Sequence, residues 1–352
     1  FEFRSLDVEE AVSSSKSTML RRLAHASCVG LVGATHHYAH THRAYSATAQ
    51  PARATHNPSK PPQPAKVKIA LCQMLVDNES KTNNLKNAAD AIKEAAHNGA
   101  NLVCLPECFN APYNAALFPA WAEEVPADAE HVSADDHPST HMLCAAARSN
   151  DVYLIGGSIP ERDGDKVYNT CVVVGPDGEI LCKHRKMHLF DIDIPGKITF
   201  RESETLSGGD TLSLFDTPWG RVGVGICYDM RFPQLAALLR EAGAHMLCYP
   251  GAFNLTTGPL HWELLGRARA VDNQVFVVTP SPARGEAGYQ SWGHSSVISP
   301  WGEVIATTEH APTIVYAEVD LAETTTVRAG IPVGMQRRSD LYTLKWAPEE
   351  VA

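Results

Sequence analysis

Apolar segments typical of β-strands alternate with amphipathic segments typical of α-helices from residue 66 onward, and this alternation limits the possible folds more than any other feature. Residues 67–71 and 101–105 predict two buried strands. Apolar side chains recur at helical spacing between these strands, and Gly99 lies where a glycine is expected to end the helix. The same patterns predict helices over 140–150, 235–241 and 262–271, and strands over 152–155, 245–249 and 275–279.

Three predicted hairpins interrupt this alternation. The turn at 175–178 joins strands over 167–174 and 179–184, a second turn at 216–220 leads into a strand over 221–226, and a third hairpin covers 295–307. Strands that alternate with helices and also form hairpins favour the α/β class, with a sheet packed against helices. We expect one domain over residues 66–346 and a short C-terminal tail over 347–352.

The first 65 residues differ in charge from the rest of the chain. They carry a net charge of +3, whereas the remaining residues carry −13, and no acidic residue lies between Glu10 and Asp77. A basic leader that contains serine and lacks acidic residues is typical of organelle import peptides. We expect residues 1–65 to be a targeting leader and disordered tail, with mitochondrial import and cleavage near Tyr45 and Ser46. The alternative is a tail without a targeting role on a cytoplasmic protein.

Composition excludes several classes of function. The mean hydropathy of −0.18 and the short uncharged apolar run over 26–33 argue against a membrane protein. The charge of −13 on the predicted domain would repel nucleic-acid phosphates. The chain has nine cysteines, an odd number, and no C-x-x-C pair, which favours buried thiols over disulfides or a zinc site. The histidines at 36, 37, 40 and 42 lack a nearby cysteine or carboxylate, so we expect no metal there.

Cys227 differs from the other cysteines by its surroundings. It follows the predicted strand over 221–226 and precedes a turn and a predicted helix. Such a strand–turn–helix arrangement projects one side chain above the sheet and aims the following backbone N–H groups at the atom that it attacks. The pattern is compatible with a nucleophile and equally with a buried structural thiol.

A cysteine nucleophile needs a base and a group that stabilises the oxyanion. Two other predicted strand ends supply candidates, Glu107 in the segment LPECFN and Lys186 in the segment KHRKMHLF. Taken alone, Glu107 could be a solvated loop carboxylate and Lys186 one member of a basic surface run.

Together and in this order, the three segments resemble the nitrilase superfamily of carbon–nitrogen hydrolases, over about residues 66–346. Within that superfamily, the stretches HLFDIDIPGKITF at 188–200 and YPGAFNLTTGP at 249–259 are most similar to the ω-amidase branch. The resemblance implies an α/β fold of the four-layer αββα sandwich type, no cofactor, and pairing into a homodimer or a higher homo-oligomer.

The resemblance also implies roles for individual residues. Glu107 would be the general base, Cys227 the nucleophile and Lys186 the cation that stabilises the oxyanion. The Tyr228 N–H would help Lys186, and Glu202 would orient it. Substrate contacts would come from Tyr113, Arg231, Phe253 and Thr257. From the residues alone, Arg231 could instead form a salt bridge with Asp229.

The predicted function is an ω-amidase that uses water to hydrolyse the terminal amide of a small dicarboxylic monoamide, 2-oxoglutaramate or 2-oxosuccinamate. A related amidase acting on deaminated glutathione, an N-carbamoyl compound or a nitrile is the nearest alternative. A Cys–His enzyme with His188 or His245 as base is a second alternative. A non-catalytic binding protein on the same fold is the most remote.

Overall fold

Two β-sheets lie face to face in the part of the chain that the structure describes. This computed structural model describes residues 63–286 and 288–347. The predicted cleavage site near Tyr45 and Ser46 and the histidines at 36–42 lie outside the described residues, as do most of the leader and of the C-terminal tail. None of the described helices is long and apolar enough to span a membrane.

The strands follow one another along the chain between residues 66 and 320. They are β1 (Lys66–Gln73), β2 (Leu102–Cys104), β3 (Tyr153–Ile155), β4 (Ile159–Asp163), β5 (Lys166–Val174), β6 (Ile180–Arg185), β7 (Asp191–Ile194), β8 (Ile198–Arg201), β9 (Ser213–Thr217), β10 (Gly220–Val224), β11 (Met246–Cys248), β12 (Phe276–Thr279), β13 (Ser296–Ile298), β14 (Val304–Thr307) and β15 (Thr313–Asp320).

The helices connect these strands. They are α1 (Lys81–His97), α2 (Phe118–Trp121), α3 (Pro138–Asn150), α4 (Pro233–Glu241), α5 (Gly258–Asn273), α6 (Glu323–Gly330) and α7 (Val333–Gln336). Helix α1 begins where Ser80 accepts a hydrogen bond from the N–H of Asn83, and Gly99 just beyond its end has a φ of +82°. The predicted helix and the glycine that ends it are therefore confirmed.

Each main sheet is built around three parallel strands. The first sheet has the order β15-β1-β2-β3-β5-β4, and β6 also pairs with β5. The second has the order β14-β13-β12-β11-β10-β9, and β7 pairs with β8 in a separate hairpin. Strands β1, β2 and β3 are parallel, as are β10, β11 and β12. Side chains that follow parallel strands meet at one edge of a sheet, which is where ligands bind in open α/β folds.

The core has two parts that define four layers. Alternate side chains of β1 point in opposite directions, as strand geometry requires. Val67, Ile69 and Leu71 pack against the second sheet, whereas Ala70 and Cys72 pack against α1 and α3. Helices α4 and α5 cover the far face of the second sheet through side chains such as Leu239 and Trp262. The αββα sandwich is confirmed.

The three predicted hairpins are also confirmed, as β5–β6, β9–β10 and β13–β14. Strands β4, β7, β8 and β15 are not predicted by the sequence pattern. Strand β15 pairs with β1 over eight residues although the two segments lie about 250 positions apart in the chain. Pairing at such a distance depends on the closed fold and leaves no local sequence signal.

Candidate active site

Cys227 occupies a sharp turn between β10 and α4. It begins a 3₁₀ turn over Cys227–Arg231 and has a φ of +46°, a left-handed conformation that is costly for a residue with a side chain. Its N–H donates to the Pro250 carbonyl at 2.8 Å, and the N–H of Ile226 donates to the Asp229 carboxylate at 2.9 Å. A Cβ at Gly225 would lie 2.6 Å from the Tyr249 ring, so the approach to this turn requires glycine.

Lys186 lies between two buried carboxylates. Its Nζ donates to Glu107 Oε1 at 3.0 Å and to the Glu202 carboxylate at 2.9 Å, and all three side chains are fully buried. Glu107 follows β2, Lys186 follows β6 and Glu202 follows β8. Three distant segments thus converge on one ion cluster, as the predicted roles require.

Further donors fix the two carboxylates. Glu107 accepts hydrogen bonds from Asn169 Nδ2 at 2.9 Å and from the Ala252 N–H at 2.8 Å. Glu202 accepts from the Tyr113 hydroxyl at 2.9 Å and from the Phe190 N–H at 2.7 Å. Buried charges are tolerated when they are paired and hydrogen-bonded, and this cluster satisfies both conditions.

The cluster controls where protons reside. Burial raises the pKa of the Glu107 carboxyl, Lys186 opposes that rise, and the Glu202 charge adds to it. Burial works against the charged form of Lys186, but the charges of Glu107 and Glu202 raise its pKa well above the usual range. Lys186 is therefore a permanent cation, and Glu107 is a stronger base than an exposed glutamate.

The Cys227 thiol hydrogen-bonds with the Glu107 carboxyl. Burial and the Glu107 charge raise the pKa of this thiol well above its usual range, with Lys186 acting in the opposite direction. The resting nucleophile is therefore a thiol whose proton points to a base. Such a pair can form a covalent intermediate when the carboxylate takes the proton during attack.

Asp229 joins the turn at Cys227 to the loop that carries Lys186. One oxygen of its buried carboxylate accepts from the Ile226 N–H and, at 3.1 Å, from His184 Nε2. The other accepts from the N–H and Nδ1 of His188 at 2.9 and 2.7 Å. Burial works against ionisation, but hydrogen bonds from His184 and His188 hold the pKa of the Asp229 carboxyl well below its usual range. The carboxylate thereby ties two catalytic segments together.

These contacts bear on two alternatives from the sequence. Asp229 binds histidines, so the salt bridge between Arg231 and Asp229 does not form. His188 is bonded to Asp229 and stacks on Phe232 with 3.6 Å between ring centroids, whereas His245 accepts a hydrogen bond from the Arg221 N–H. The carboxylate of Glu107, and neither histidine, contacts the thiol.

A pocket of about 190 Å³ opens beside the nucleophile, and we call it the acyl pocket. It is lined by Phe190, Cys227, Tyr228, Arg231, Ala252, Phe253, Thr257 and Tyr289. The Arg231 guanidinium lies 4.7 Å from the centre of the Phe253 ring and 5.6 Å from that of Tyr228, in the geometry of cation–π contacts. Its Nη1 also lies 3.3 Å from His261 Nδ1. No carboxylate pairs with Arg231 within the described residues.

The structure brings the predicted site residues together, with one difference in placement. Arg231, Phe253 and Thr257 line the acyl pocket beside Cys227, but Tyr113 does not. Its hydroxyl binds Glu202, and its ring lies 4.5 Å from that of Tyr289. Tyr113 instead lines a neighbouring pocket, together with Glu107 and Tyr289.

Sequence reasoning missed three residues of the site. Asn169 binds the base, Asp229 ties the two segments together, and the Tyr289 hydroxyl donates to the Ala252 carbonyl at 2.6 Å. Asn169 and Tyr289 are far from the motifs in sequence and carry no local signal. Asp229 lies two residues after Cys227 and could have been found from its place in the turn. Among residues 63–286 and 288–347, no group of three or more His, Cys, Asp or Glu side chains forms a potential metal site.

Comparison with known proteins places this geometry in a family. The sequence matches the model of the carbon-nitrogen hydrolases over residues 68–329. Omega-amidase NIT2 of Bos taurus is 56% identical over 282 residues, which cover 80% of this chain and 98% of that protein. A protein of Arabidopsis thaliana named omega-amidase, chloroplastic, is 55% identical over 292 residues, or 82% of this chain and 78% of that protein.

A solved structure is also similar to this chain. The crystal structure of Saccharomyces cerevisiae Nit3, described as a member of branch 10 of the nitrilase superfamily, is similar with a TM-score of 0.70 and 42% identity, covering 78% of this chain and 97% of that chain. The family match covers well over half of the sequence, and the similarity to the Bos taurus protein extends over nearly its whole length. The chain belongs to the carbon-nitrogen hydrolase, or nitrilase, superfamily, in its omega-amidase branch, and is a hydrolase of carbon–nitrogen bonds in amides.

Proposed function

We propose that this chain is an ω-amidase that converts short dicarboxylic monoamides, 2-oxoglutaramate and 2-oxosuccinamate, to the dicarboxylate and ammonia. One observation carries the proposal. A thiol hydrogen-bonded to a buried carboxylate borders a small pocket that also contains the arginine Arg231. The names of the omega-amidase relatives support the same activity.

The first half of the reaction forms a thioester. Glu107 takes the proton of the Cys227 thiol while the sulfur attacks the terminal amide carbon, and the carbonyl oxygen becomes an oxyanion. Lys186 and the Tyr228 N–H stabilise this oxyanion. Tyr228 is the second residue of the 3₁₀ turn over Cys227–Arg231, and the first N–H groups of a helical turn have no acceptor within that turn, which leaves this N–H able to donate. Glu107 then gives its proton to the nitrogen, and ammonia leaves as the carbonyl reforms.

The second half releases the acid. Glu107, again a carboxylate, takes a proton from water as the water oxygen attacks the thioester carbon. The tetrahedral intermediate collapses, the carbon–sulfur bond breaks, and the proton on Glu107 returns to the thiolate. Glu202 keeps Lys186 in place through its 2.9 Å hydrogen bond in both halves. Every group in the cycle belongs to the chain, the substrate or water.

Substrate length follows from the acyl pocket. Arg231 is four residues from Cys227 and carries the fork of donors that suits a carboxylate. Thr257 adds a hydroxyl, and the Phe253 ring holds the guanidinium in place. Arg231 and Cys227 line the same small pocket, so a carboxylate bound by Arg231 favours a short chain between it and the amide carbon. Deaminated glutathione, the substrate of the alternative function, is much larger.

The proposal is tested by ammonia release from 2-oxoglutaramate, 2-oxosuccinamate, deaminated glutathione and N-carbamoylputrescine. We expect kcat/KM to be highest for one of the two dicarboxylic monoamides, by at least tenfold over the other two compounds. A higher kcat/KM for deaminated glutathione or N-carbamoylputrescine would assign the chain to the alternative amidase. Absence of turnover on all four compounds would leave the non-catalytic alternative.

We also propose import into mitochondria and assembly into a homodimer. The basic leader supports import, and Leu260 and Leu264 are exposed on one face of α5, where a second copy could cover them. The N-terminal sequence of protein from purified organelles tests import, because a sequence that still contains Met19 would contradict removal of the leader. Light scattering after size-exclusion chromatography tests the dimer.

A further inference from the structure

The 3₁₀ turn over Cys227–Arg231 carries the nucleophile at its first residue and the arginine of the acyl pocket at its last. Its first end is held by the N–H of Cys227, which donates to a carbonyl after β11, and by the Asp229 carboxylate, which two histidines bind. The last carbonyls of a helical turn have no N–H donor within that turn. The Met230 and Arg231 carbonyls therefore need donors from another part of the chain.

Arg269 supplies these donors from α5. Its Nε donates to the Met230 carbonyl at 2.9 Å, and its Nη2 donates to the Arg231 carbonyl at 3.2 Å. Its side chain is buried, and its ion pair, at 3.4 Å, is with the exposed carboxylate of Asp272. Arg269 does not line the acyl pocket. Its donors are committed to the backbone of the turn, so it does not bind substrate itself.

The same side of α5 also holds the side chain of Arg231. His261 Nδ1 lies 3.3 Å from Arg231 Nη1. Trp262 is seven residues before Arg269 and therefore on the same side of the helix. Its ring lies 4.9 Å from that of Phe253, on which the Arg231 guanidinium rests. One helix thus holds this arginine at its backbone, at its guanidinium and through the ring beneath it.

We infer that Arg269 is a positioning residue for carboxylate binding, because it sets where the Arg231 guanidinium lies relative to Cys227. The two ends of one short substrate must reach Arg231 and Cys227 together, so a shift of the arginine weakens binding of the carboxylate. Attack on the amide depends on contacts at the first end of the turn, which Arg269 does not make. This inference rests on the proposed function, since it takes Arg231 as the group that binds the substrate carboxylate.

Substitution of Arg269 tests the inference with a charged amide, 2-oxoglutaramate, and an uncharged one, butyramide. R269M removes both donors and keeps a long side chain in the core. We expect it to raise KM for 2-oxoglutaramate by about tenfold, the range expected for lost hydrogen bonds, and to change KM for butyramide little. R269K keeps the charge but loses the fork of donors, so it should raise KM for 2-oxoglutaramate by about threefold. The kcat for both amides should change little.

Arg267 provides the matched control on the same helix. It also donates to a backbone carbonyl, that of Gly302 at 2.8 Å, but its side chain is 54% exposed and its other hydrogen bond goes to Glu263. R267M should therefore leave both KM values unchanged. If circular dichroism shows that R269M does not fold, R269K decides the test.

Two results would overturn the inference. Equal changes in the two KM values would show that Arg269 supports the whole site and not carboxylate binding. An unchanged KM for 2-oxoglutaramate would show that the arginine of the acyl pocket needs no support from α5.

A double-mutant cycle shows whether Arg269 acts through Arg231. In R231M the group that binds the carboxylate is gone, so the addition of R269M should not raise KM for 2-oxoglutaramate further. Additive effects would also overturn the inference, because Arg269 would then act by a route that does not involve Arg231.

The proposed function fails separately from this inference. A wild-type enzyme that does not hydrolyse 2-oxoglutaramate would contradict the proposed function. Inhibition of butyramide hydrolysis by glutarate, a short dicarboxylate, would then replace KM for 2-oxoglutaramate as the measure of carboxylate binding. The inhibition constant should rise in R269M and R269K and stay unchanged in R267M, and an unchanged constant in all three variants would overturn the inference.

Discussion

The catalytic cluster and the acyl pocket are adjacent, but the cation of the cluster is paired with carboxylates and the cation of the pocket is not. In the cluster, Lys186 is buried and paired with two carboxylates, each of which also accepts bonds from fixed donors. In the acyl pocket, Arg231 rests on aromatic rings and reaches a single histidine, with no carboxylate partner among the described residues. The cluster is complete before substrate arrives, whereas the arginine remains free to bind an anion.

The hydrogen bonds of Asp229 explain why Arg231 stays unpaired. Asp229 is the acid nearest to Arg231 in sequence, and it would neutralise that arginine if its carboxylate turned outward. His184, His188 and the Ile226 N–H occupy that carboxylate instead. The bonds that tie the Cys227 turn to the Lys186 loop thus also keep Arg231 unpaired.

The largest expected effect comes from removing the nucleophile. C227A should reduce ammonia release by more than a thousandfold and leave the fold intact, because covalent catalysis has no substitute once the sulfur is absent. C182A is the control, since Cys182 lies on β6 and does not line the acyl pocket, and it should keep full activity. Residual turnover in C227A above about one part in a thousand would contradict a covalent mechanism.

Breaking the cluster should also destabilise the protein. K186M leaves Glu107 and Glu202 buried without a cation, which should lower the free energy of unfolding by about 3–5 kcal/mol and abolish turnover. Chemical denaturation followed by circular dichroism measures this change.

Lys183 provides the matched comparison for Lys186. It also pairs with a buried glutamate, Glu161, at 2.9 Å, but its side chain is 29% exposed and Arg185 forms two further bonds to that glutamate. K183M should therefore cost about 1 kcal/mol and leave activity intact. Equal losses in K183M and K186M would show that the catalytic cluster is no more dependent on its cation than the partly exposed Lys183–Glu161 pair.

The places of the catalytic residues in the fold explain what the sequence could predict. Glu107, Lys186 and Cys227 each follow an apolar strand, and strand ends are visible in the local pattern. The main helices and the hairpins followed from periodicity and turn residues. A family resemblance then supplied the four layers and linked the segments, because spacing alone could not show that three strand ends meet.

The contacts that the sequence could not reveal are those between distant segments. Asn169 reaches Glu107 from 62 positions away, and the Ala252 N–H reaches it from 145 positions away. Tyr289 has no neighbouring motif, yet it lines the acyl pocket. Such contacts depend on how the two sheets stack, which periodicity within a strand does not determine.

Substituting Arg231 tests whether this unpaired arginine binds the substrate carboxylate. R231K keeps the positive charge but loses the planar fork of donors that binds a carboxylate at two points. We expect KM for 2-oxoglutaramate to rise about 10- to 100-fold, with little change in kcat. KM for butyramide, an uncharged amide, should not change, and equal effects on both amides would remove Arg231 from carboxylate binding.

The fall of kcat/KM at low pH, its acid limb, measures the ionisation of Glu107 in the cluster. Glu107 must be ionised to take the thiol proton, so activity falls as the pH drops through its pKa. Burial and the Glu202 charge raise the pKa of Glu107, which places the limb above the usual glutamate value of about 4.3. In E202Q the repelling charge is gone, and the limb should move to lower pH. A limb that moves to higher pH, or does not move, would contradict this electrostatic coupling.

The smallest effect concerns the neighbour of Arg231. An arginine side chain can only donate hydrogen bonds, so His261 Nδ1 must accept the hydrogen bond from Arg231 Nη1 at 3.3 Å. Nδ1 can accept only when the imidazole is neutral. Burial and the Arg231 charge lower the pKa of His261, which keeps the ring neutral near pH 7. H261A should raise KM for 2-oxoglutaramate by about two- to fivefold, the range expected for one hydrogen bond. H261N, which retains an acceptor, should recover part of this loss, and butyramide should show no effect. If H261A changes both KM values equally, the histidine shapes the pocket and does not orient the arginine.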